Sequence, residues 1–320
     1  MRSIEDTIII DEILKAAGKS TTASLRLGIG DDTAIFNPPA GRELLLTTDQ
    51  VVEGTHFLPT EHPAQALGHK CLARGLSDIA AMGGEPRCFL LSLCMPAWVT
   101  PGWRTRFFKG LFRLSRSLNI PLAGGDIARG QHFGADVTVV GSIQRGKALL
   151  RSRAKAGDTL YVSGRLGGSA LGFERLRAHG KTRGATARRH LYPEPRLALG
   201  RFLAGELRVR AAMDLSDGLS TDLGRFMRAS NAGARIGAGK IPRFRGASLD
   251  QALHGGEDYE LLFAAPPNRE VPEKFDGLEL TPIGTVLKGN AIVLETGDGE
   301  HPLQREGFQH FDSQSFEQIE

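Results

Sequence analysis

Apolar residues recur at helical spacing from Ile4 to Ala17, with Ile9, Ile13, Leu14 and Ala17 on one face. This predicts a short leading helix that stops at Gly18. The run Leu44-Leu45-Leu46 continues into Thr47-Thr48-Asp49, the pattern of a buried strand that ends in polar residues. Pro63 opens a segment in which Leu67, Cys71, Leu72, Leu76, Ile79 and Ala80 share a broad face, and Gly83-Gly84 closes it. A second helix is expected over 102–118, with Phe107, Leu111 and Leu114 as its stripe. Strands are expected at Ile120–Ala123, running into Gly124-Gly125-Asp126, and at Val137–Ile143. The aspartates are thus expected at strand edges and in loops.

The polar stretch 151–158 precedes a new strand, Leu160–Ser163, and places a domain boundary there: 1–150 and 151–320. The second half holds structured segments at Met213–Leu223 and Gly255–Phe263 and a late strand pair. No repeat of fixed period is evident, and 312–320 is polar enough to be a frayed tail.

Composition narrows the class. The 320 residues are 41% hydrophobic and 24% charged, ordinary globular values for one large domain or two cores. Lysine and arginine exceed aspartate and glutamate by 40 to 36, a surplus of +4 that does not call for nucleic acid as a partner. Cys71, Cys88 and Cys94 form no CxxC pair, which argues against a disulfide framework or a zinc site. Glu5 and Asp6 stand where a secretory leader needs an apolar run, and the apolar stretch Cys88–Val99 is too short to span a bilayer and contains Pro96. A cytoplasmic protein without a membrane segment is expected.

The common phosphate-binding motifs fail. Gly18-Lys19-Ser20 mimics the end of a P-loop, but the loop's first glycine would fall on Ile13, inside a helical pattern. Gly28-Ile29-Gly30 lacks a third small residue at Thr33, and two acids follow it that would repel a pyrophosphate. Protein-kinase catalytic motifs are absent, and Asp214–Asp222 lacks calcium-loop spacing.

What remains is a series of acids with glycine or hydroxyl neighbours: Asp31-Asp32, Thr47-Thr48-Asp49, Asp78, Asp126, Asp214, Asp217 and Glu257-Asp258. Such oxygen donors suit hard cations, and Mg²⁺ fills its remaining positions with water and phosphate oxygens. Taken singly, each acid also has a plain structural reading. Asp31, Asp32 or Asp126 suits a turn, and Asp217 suits a helix cap before Gly218. Asp78 lies in the last turn of its helix, where a metal or Arg74 one turn earlier would compensate the unfavourable dipole. His56 reads as a core histidine or as a substrate contact, and the cysteines as core filling.

The motifs in order are Leu27-Gly-Ile-Gly-Asp-Asp32, Thr47-Thr-Asp49, Glu53-Gly-Thr-His-Phe57, Leu76-Ser-Asp-Ile-Ala-Ala-Met-Gly83, Gly124-Gly-Asp126, Met213-Asp-Leu-Ser-Asp-Gly218 and Gly255-Gly-Glu-Asp-Tyr-Glu260. The series resembles the bacterial thiamine-monophosphate kinases, in the superfamily of aminoimidazole ribonucleotide synthetase, from about Leu27 to Phe311. The resemblance implies an α+β, two-domain fold. Its N-terminal domain would have barrel-forming strands at a dimer interface, and its C-terminal α/β sandwich would close over the substrate. It implies ATP-dependent phosphorylation of thiamine monophosphate by a homodimer with several Mg²⁺ ions, in the last step to thiamine diphosphate, with no general base or covalent nucleophile. By position, Asp31, Thr47, Thr48, Asp49, Asp78, Asp126, Asp214 and Asp217 resemble metal ligands. Gly125, Asp126, Arg151 and Ser216 resemble ATP contacts, and His56, Glu257 and Phe308 resemble substrate contacts. Arg305 stands where relatives can place an aromatic, leaving Phe308 as the aromatic of the closing segment. A related ATP-dependent synthetase and a non-catalytic nucleotide-binding module remain as alternatives.

Overall fold

The computed structural model describes residues 4–18, 21–29, 32–180, 184–304 and 306–308. In chain order the first elements are α1 (Ile4–Ala17), β1 (Leu25–Leu27), β2 (Ile35–Phe36), β3 (Arg42–Val52), α2 (Ala64–Ala81), β4 (Glu85–Met95), α3 (Pro101–Ser117), β5 (Leu122–Arg129) and β6 (Gly134–Gln144). After a single 3-10 turn, Arg151–Arg153, come β7 (Thr159–Ser163), α4 (Gly168–His179), α5 (Ala185–Leu191), α6 (Leu197–Gly205), β8 (Ala211–Asp214), α7 (Leu219–Ser230) and β9 (Gly233–Gly237). A second 3-10 turn, Ala238–Lys240, leads to α8 (Leu249–His254), β10 (Leu261–Ala265), β11 (Lys274–Phe275), β12 (Leu278–Leu287), β13 (Ile292–Thr296) and β14 (Gly299–Pro302). The class is α+β.

Two compact units are present, and neither is contiguous in sequence. The first comprises residues 1–148, 176–184 and 191–205; the second comprises 149–175, 185–190 and 206–320. In the first unit four strands form one sheet in the order β3-β6-β4-β5, antiparallel except for the parallel β4–β5 pair. Alternation along β6 turns Ala135, Val137 and Val139 inward, each fully buried. α2 covers that face with Leu72, Leu76 and Ile79, and α3 packs on α2 with Phe107 and Leu111. Gly18 ends α1, its N–H bonding the Leu14 carbonyl at 3.1 Å. Arg104 of α3 ties α1 down through both oxygens of Glu12, at 2.9 and 3.2 Å.

The other face of this sheet is covered in part, where Leu25 and Phe36 of the β1–β2 pair pack with Cys88, Ala123 and Val140. Leu44, Leu46 and Leu90 project from it, and Leu46 is 70% exposed. β4 contains the apolar run that the sequence reading left without an element, and it is a central strand of this sheet.

In the second unit seven strands run β14-β13-β9-β12-β7-β10-β8, with β11 added on β12. Its core joins Leu160 and Val162 of β7, Met213 of β8, Leu262 of β10 and Ile283 of β12 to Leu223 and Phe226 of α7. Among the described residues no helix is long and apolar enough to cross a membrane.

Candidate functional site

Each unit gathers part of the acidic series. β3 does not end at its polar residues: all eleven of its residues pair with β6, Thr47 opposite Val139, Thr48 opposite Thr138 and Asp49 opposite Val137. The expectation of acids at strand edges and loops is corrected here for Asp49 and for Asp126, which lies inside β5. Backbone pairing, which polar side chains do not prevent, carries these strands past their apolar cores.

Alternation sends the side chains of Thr47 and Asp49 toward α2 and that of Thr48 to the opposite face. The Thr47 hydroxyl donates to the Asp78 carboxylate. Arg74, one turn before Asp78, reaches Asp49 at 3.4 Å. Asp78 sits in the last turn of α2, where the helix carbonyls disfavour a negative charge, and the Thr47 hydroxyl offsets part of that cost. The Thr48 hydroxyl instead accepts from Thr138 at 3.2 Å.

β5 can lie close to β4 only because position 125 is glycine: a Cβ there would come within 1.9 Å of the Leu91 carbonyl oxygen. Asp126 stands opposite Ser92, which stands opposite Asp136 on β6, so Asp126 shares the open face with Thr48. Its Oδ1 accepts the Ile127 N–H at 2.9 Å. β3 and β5 are the two edges of the sheet, three strand spacings or roughly 14 Å apart. Within this unit the fold therefore brings Thr47, Asp49 and Asp78 together and leaves Asp126 on the far edge. Asp31 lies outside the described residues.

His56 follows β3 on a turn. Phe57 beside it is 2% exposed and meets Phe133 edge-on at 5.7 Å, an anchor that leaves His56 half-buried with Nδ1 accepting the Val52 N–H at 3.1 Å. Cys71 and Cys88 are buried, and burial pushes their thiols up to about 12 and about 11, so both stay protonated at neutral pH and fill the core.

In the second unit two loops zip together. The Glu257 N–H donates to the Ser216 carbonyl at 2.7 Å, and the Tyr259 N–H to that of Leu215 at 2.9 Å. The Phe308 N–H donates to the Asp217 carbonyl at 3.1 Å, so Asp214, Ser216, Asp217, Glu257 and Phe308 converge. Phe308 is 44% exposed, and Arg305 lies outside the described residues. Glu257 and Tyr259 hold positive φ, +67° and +51°, uncommon for side chains of their size. The Gly255–Glu260 motif thereby sorts its acids. Asp258 turns inward onto the N–H groups of Gly167 and Ser169 at 2.5 and 3.0 Å. Glu260, fully buried, takes Ser163 and Arg189 at 2.6 and 2.7 Å. Glu257 remains half-buried beside His190, 3.5 Å from its Nδ1.

Asp217 does not cap α7. The N-cap is Gly218, at φ +102°, where a side chain would meet the His254 carbonyl. Asp222, one turn inside, accepts the N–H groups of Ser216 and Asp217 at 3.0 and 2.9 Å, and Arg225 bridges Asp217 and Asp222. Burial pushes the Asp222 carboxyl up to about 6. The sequence offers Arg74 as a partner of Asp78, whereas in the structure Arg74 reaches Asp49. The sequence does not single out Asp222 and Arg225 as supports of the site. An acid at the start of an amphipathic helix, just after an aspartate-rich turn, was the available signal. Arg151 lies apart from these loops, exposed on the 3-10 turn after β6. The same turn borders a cavity of about 320 Å³ lined by Arg153, Lys155 and Arg210.

The donors at Thr47, Asp49 and Asp78, and at Asp214 and Asp217, are all carboxylate or hydroxyl oxygens, without thiolate or imidazole. That set fits Mg²⁺ and not a soft transition metal.

The profile of AIR synthase related protein, N-terminal domain, matches residues 30–143, and that of its C-terminal domain matches residues 155–297. The chain is 39% identical to thiamine-monophosphate kinase of Escherichia coli strain K12 over 311 residues, 92% of this chain and 94% of that one. It also matches the solved structure of AaThiL complexed with AMPPCP and TMP, at 32% identity and a TM-score of 0.77, over 97% of this chain and 99% of that one. Hydrogenase maturation protein HypE in complex with ATP superposes at a TM-score of 0.79, covering 95% of each chain; at 17% identity that likeness concerns the fold alone.

Proposed function

Because the chain belongs to the thiamine-monophosphate kinase family of AIR synthase related proteins, we propose that it phosphorylates thiamine monophosphate with ATP, giving thiamine diphosphate and ADP. The observation that carries this reading is the oxygen-only constellation of Thr47, Asp49 and Asp78 on β3 and α2, matched by Asp214 and Asp217 in the second unit.

The main obstacle is electrostatic. Two phosphate groups about 4 Å apart repel by several kcal/mol per pair of charges even at an effective dielectric of about 20. In the reaction a terminal oxygen of the acceptor phosphate forms a bond to the γ-phosphorus. The bond to the β,γ-bridging oxygen breaks, and ADP leaves with that electron pair. The acceptor is already anionic, so no side chain has to remove a proton, and a site without a serine or cysteine nucleophile is adequate.

Mg²⁺, when bound, neutralises phosphate charge and orients the oxygens. Thr47, Asp49 and Asp78 would hold one ion in the first unit and Asp214 and Asp217 another in the second, while Thr48 and Asp126, on the opposite face and at opposite edges of the sheet, would serve other ions, with Asp31 kept as a donor by the family resemblance. Arg151, Ser216, Gly125 and Asp126 are the ATP contacts of this reading, and the cationic lining around Arg153 supports a polyphosphate near Arg151. His56, Glu257 and Phe308 are its thiamine contacts.

The assembly is read as a homodimer through the open face of the first sheet, where Leu44, Leu46 and Leu90 are exposed. Asp126 lies on that face and becomes an interface residue. The buried, protonated thiols suit a reducing cytoplasm, and no nucleic-acid or membrane partner is assigned.

Direct transfer is tested with ATP labelled in the γ-phosphate. The label is expected to pass to thiamine diphosphate in a single turnover without labelling the protein. Label held by the protein and released on adding thiamine monophosphate would contradict direct transfer.

A further inference from the structure

Arg151, an ATP contact in the proposed reading, stands on a 3-10 turn of only three residues. A turn this short does not fix its own orientation, and its one closing bond is Arg153 N–H to the Leu150 carbonyl at 3.1 Å. The Leu150 N–H is tied to the Arg210 carbonyl at 2.9 Å and Ala154 is buried in the core, and one hydroxyl adds two further bonds. Ser230 Oγ donates to the Arg151 carbonyl at 2.5 Å and accepts the Ala154 N–H at 3.1 Å, so it grips both ends of the turn. A hydroxyl can do this because it is donor and acceptor at once.

Ser230 is itself well placed to hold. It is the last residue of α7, which Asn231 closes in the left-handed conformation with its N–H on the Arg228 and Met227 carbonyls. α7 is twelve residues, about 18 Å of straight helix, with Phe226 and Met227 buried in the core of the second unit. Its other end starts at Gly218, directly after Asp214, Ser216 and Asp217. One rigid helix therefore has the acidic loop at its first residue and the Arg151 turn at its last.

We propose that Ser230 is a positioning residue for ATP: by clamping the 151–154 turn to the end of α7 it sets the place of the Arg151 guanidinium relative to Ser216 and Asp217. The inference rests on the reading of Arg151 as an ATP contact. Ser230 touches no substrate and acts through Arg151 alone.

The test is a cycle of variants in the full-length enzyme, with KM for ATP, KM for thiamine monophosphate, kcat and melting temperature measured for each. Ser230→Ala removes both hydrogen bonds and is expected to raise KM for ATP about tenfold, with kcat and KM for thiamine monophosphate within about twofold. Ser230→Thr keeps the hydroxyl and is expected to retain the original KM for ATP. In an Arg151→Ala background, Ser230→Ala is expected to add no further change. If Arg151→Ala leaves KM for ATP unchanged, the reading of Arg151 falls and this inference with it. If Arg151→Ala raises it and Ser230→Ala does not, the inference alone is overturned. It is equally overturned if Ser230→Ala raises both KM values together, or adds to Arg151→Ala, since a merely structural serine behaves that way. Should Ser230→Ala fail to fold, Ser230→Thr decides: a raised KM for ATP with the hydroxyl present contradicts the clamp.

Discussion

Asp49 shows how one side chain answers to several neighbours. It is half-buried, faces α2, and is touched by Arg74 at 3.4 Å. Asp49→Asn keeps the shape and removes the charge that a hard cation needs, so turnover is expected to fall by orders of magnitude with far-ultraviolet dichroism unchanged. Near-normal kcat in the folded variant contradicts the assignment; Asp126→Asn is expected to act alike. For His56 the structure keeps the two sequence readings apart: the neighbouring Phe57 supplies the core anchor, and the imidazole is left half-buried. His56→Ala should therefore raise KM for thiamine monophosphate more than KM for ATP, and equal effects on both would return it to a structural role. Asp222 was illegible as a site residue, and Arg74 was legible only as a partner of Asp78 and not of Asp49, because a one-dimensional reading does not reveal which acid a guanidinium or an N–H will find across a sheet.

At the scale of elements, long periodic segments were legible and short, paired ones were not. α1, α2 and α3 follow from apolar spacing because a helix closes its own hydrogen bonds. β3 and β6 were recognised but cut short, since their ends are set by the partner strand and not by local hydrophobicity. β4 was missed although it is the most apolar stretch, for a strand covered on one face and partly on the other has no clean alternation. The start of α7 carries a consequence for pH. Burial raises the Asp222 carboxyl from its usual 3.8 to about 6, so the folded state holds this proton more tightly than the unfolded chain does. The associated stability is complete below about pH 4 and is lost as pH rises through about 6, by at most roughly 3 kcal/mol. In thermal unfolding, Asp222→Asn is thus expected to gain on the wild type as pH increases from about 4 to about 6. A difference that stays constant over that range contradicts the shift.

Over the whole molecule, the α+β class and the family were legible because the motifs are dense and ordered, whereas the composition of the two units was not. Residues 191–205 follow the second unit's first strand in sequence yet belong to the first unit, where Gly200 lies so close to Ala80 that a Cβ would come within 2.1 Å of its carbonyl oxygen. Such long-range placement depends on shape and leaves little trace in local pattern. The acids separate by unit in the same way: Thr47, Asp49 and Asp78 in one, Asp214 and Asp217 in the other, each held by its own sheet and helix. What they have in common is a set of oxygen donors of the kind a hard cation takes, and the central claim is that these donors serve phosphoryl transfer to thiamine monophosphate. Phosphorus NMR of the purified protein with ATP, Mg²⁺ and thiamine monophosphate tests it most directly. Matched growth of ADP and thiamine diphosphate signals is the predicted result; ATP that binds without turnover, or ADP that forms with free phosphate and no thiamine diphosphate, would contradict it.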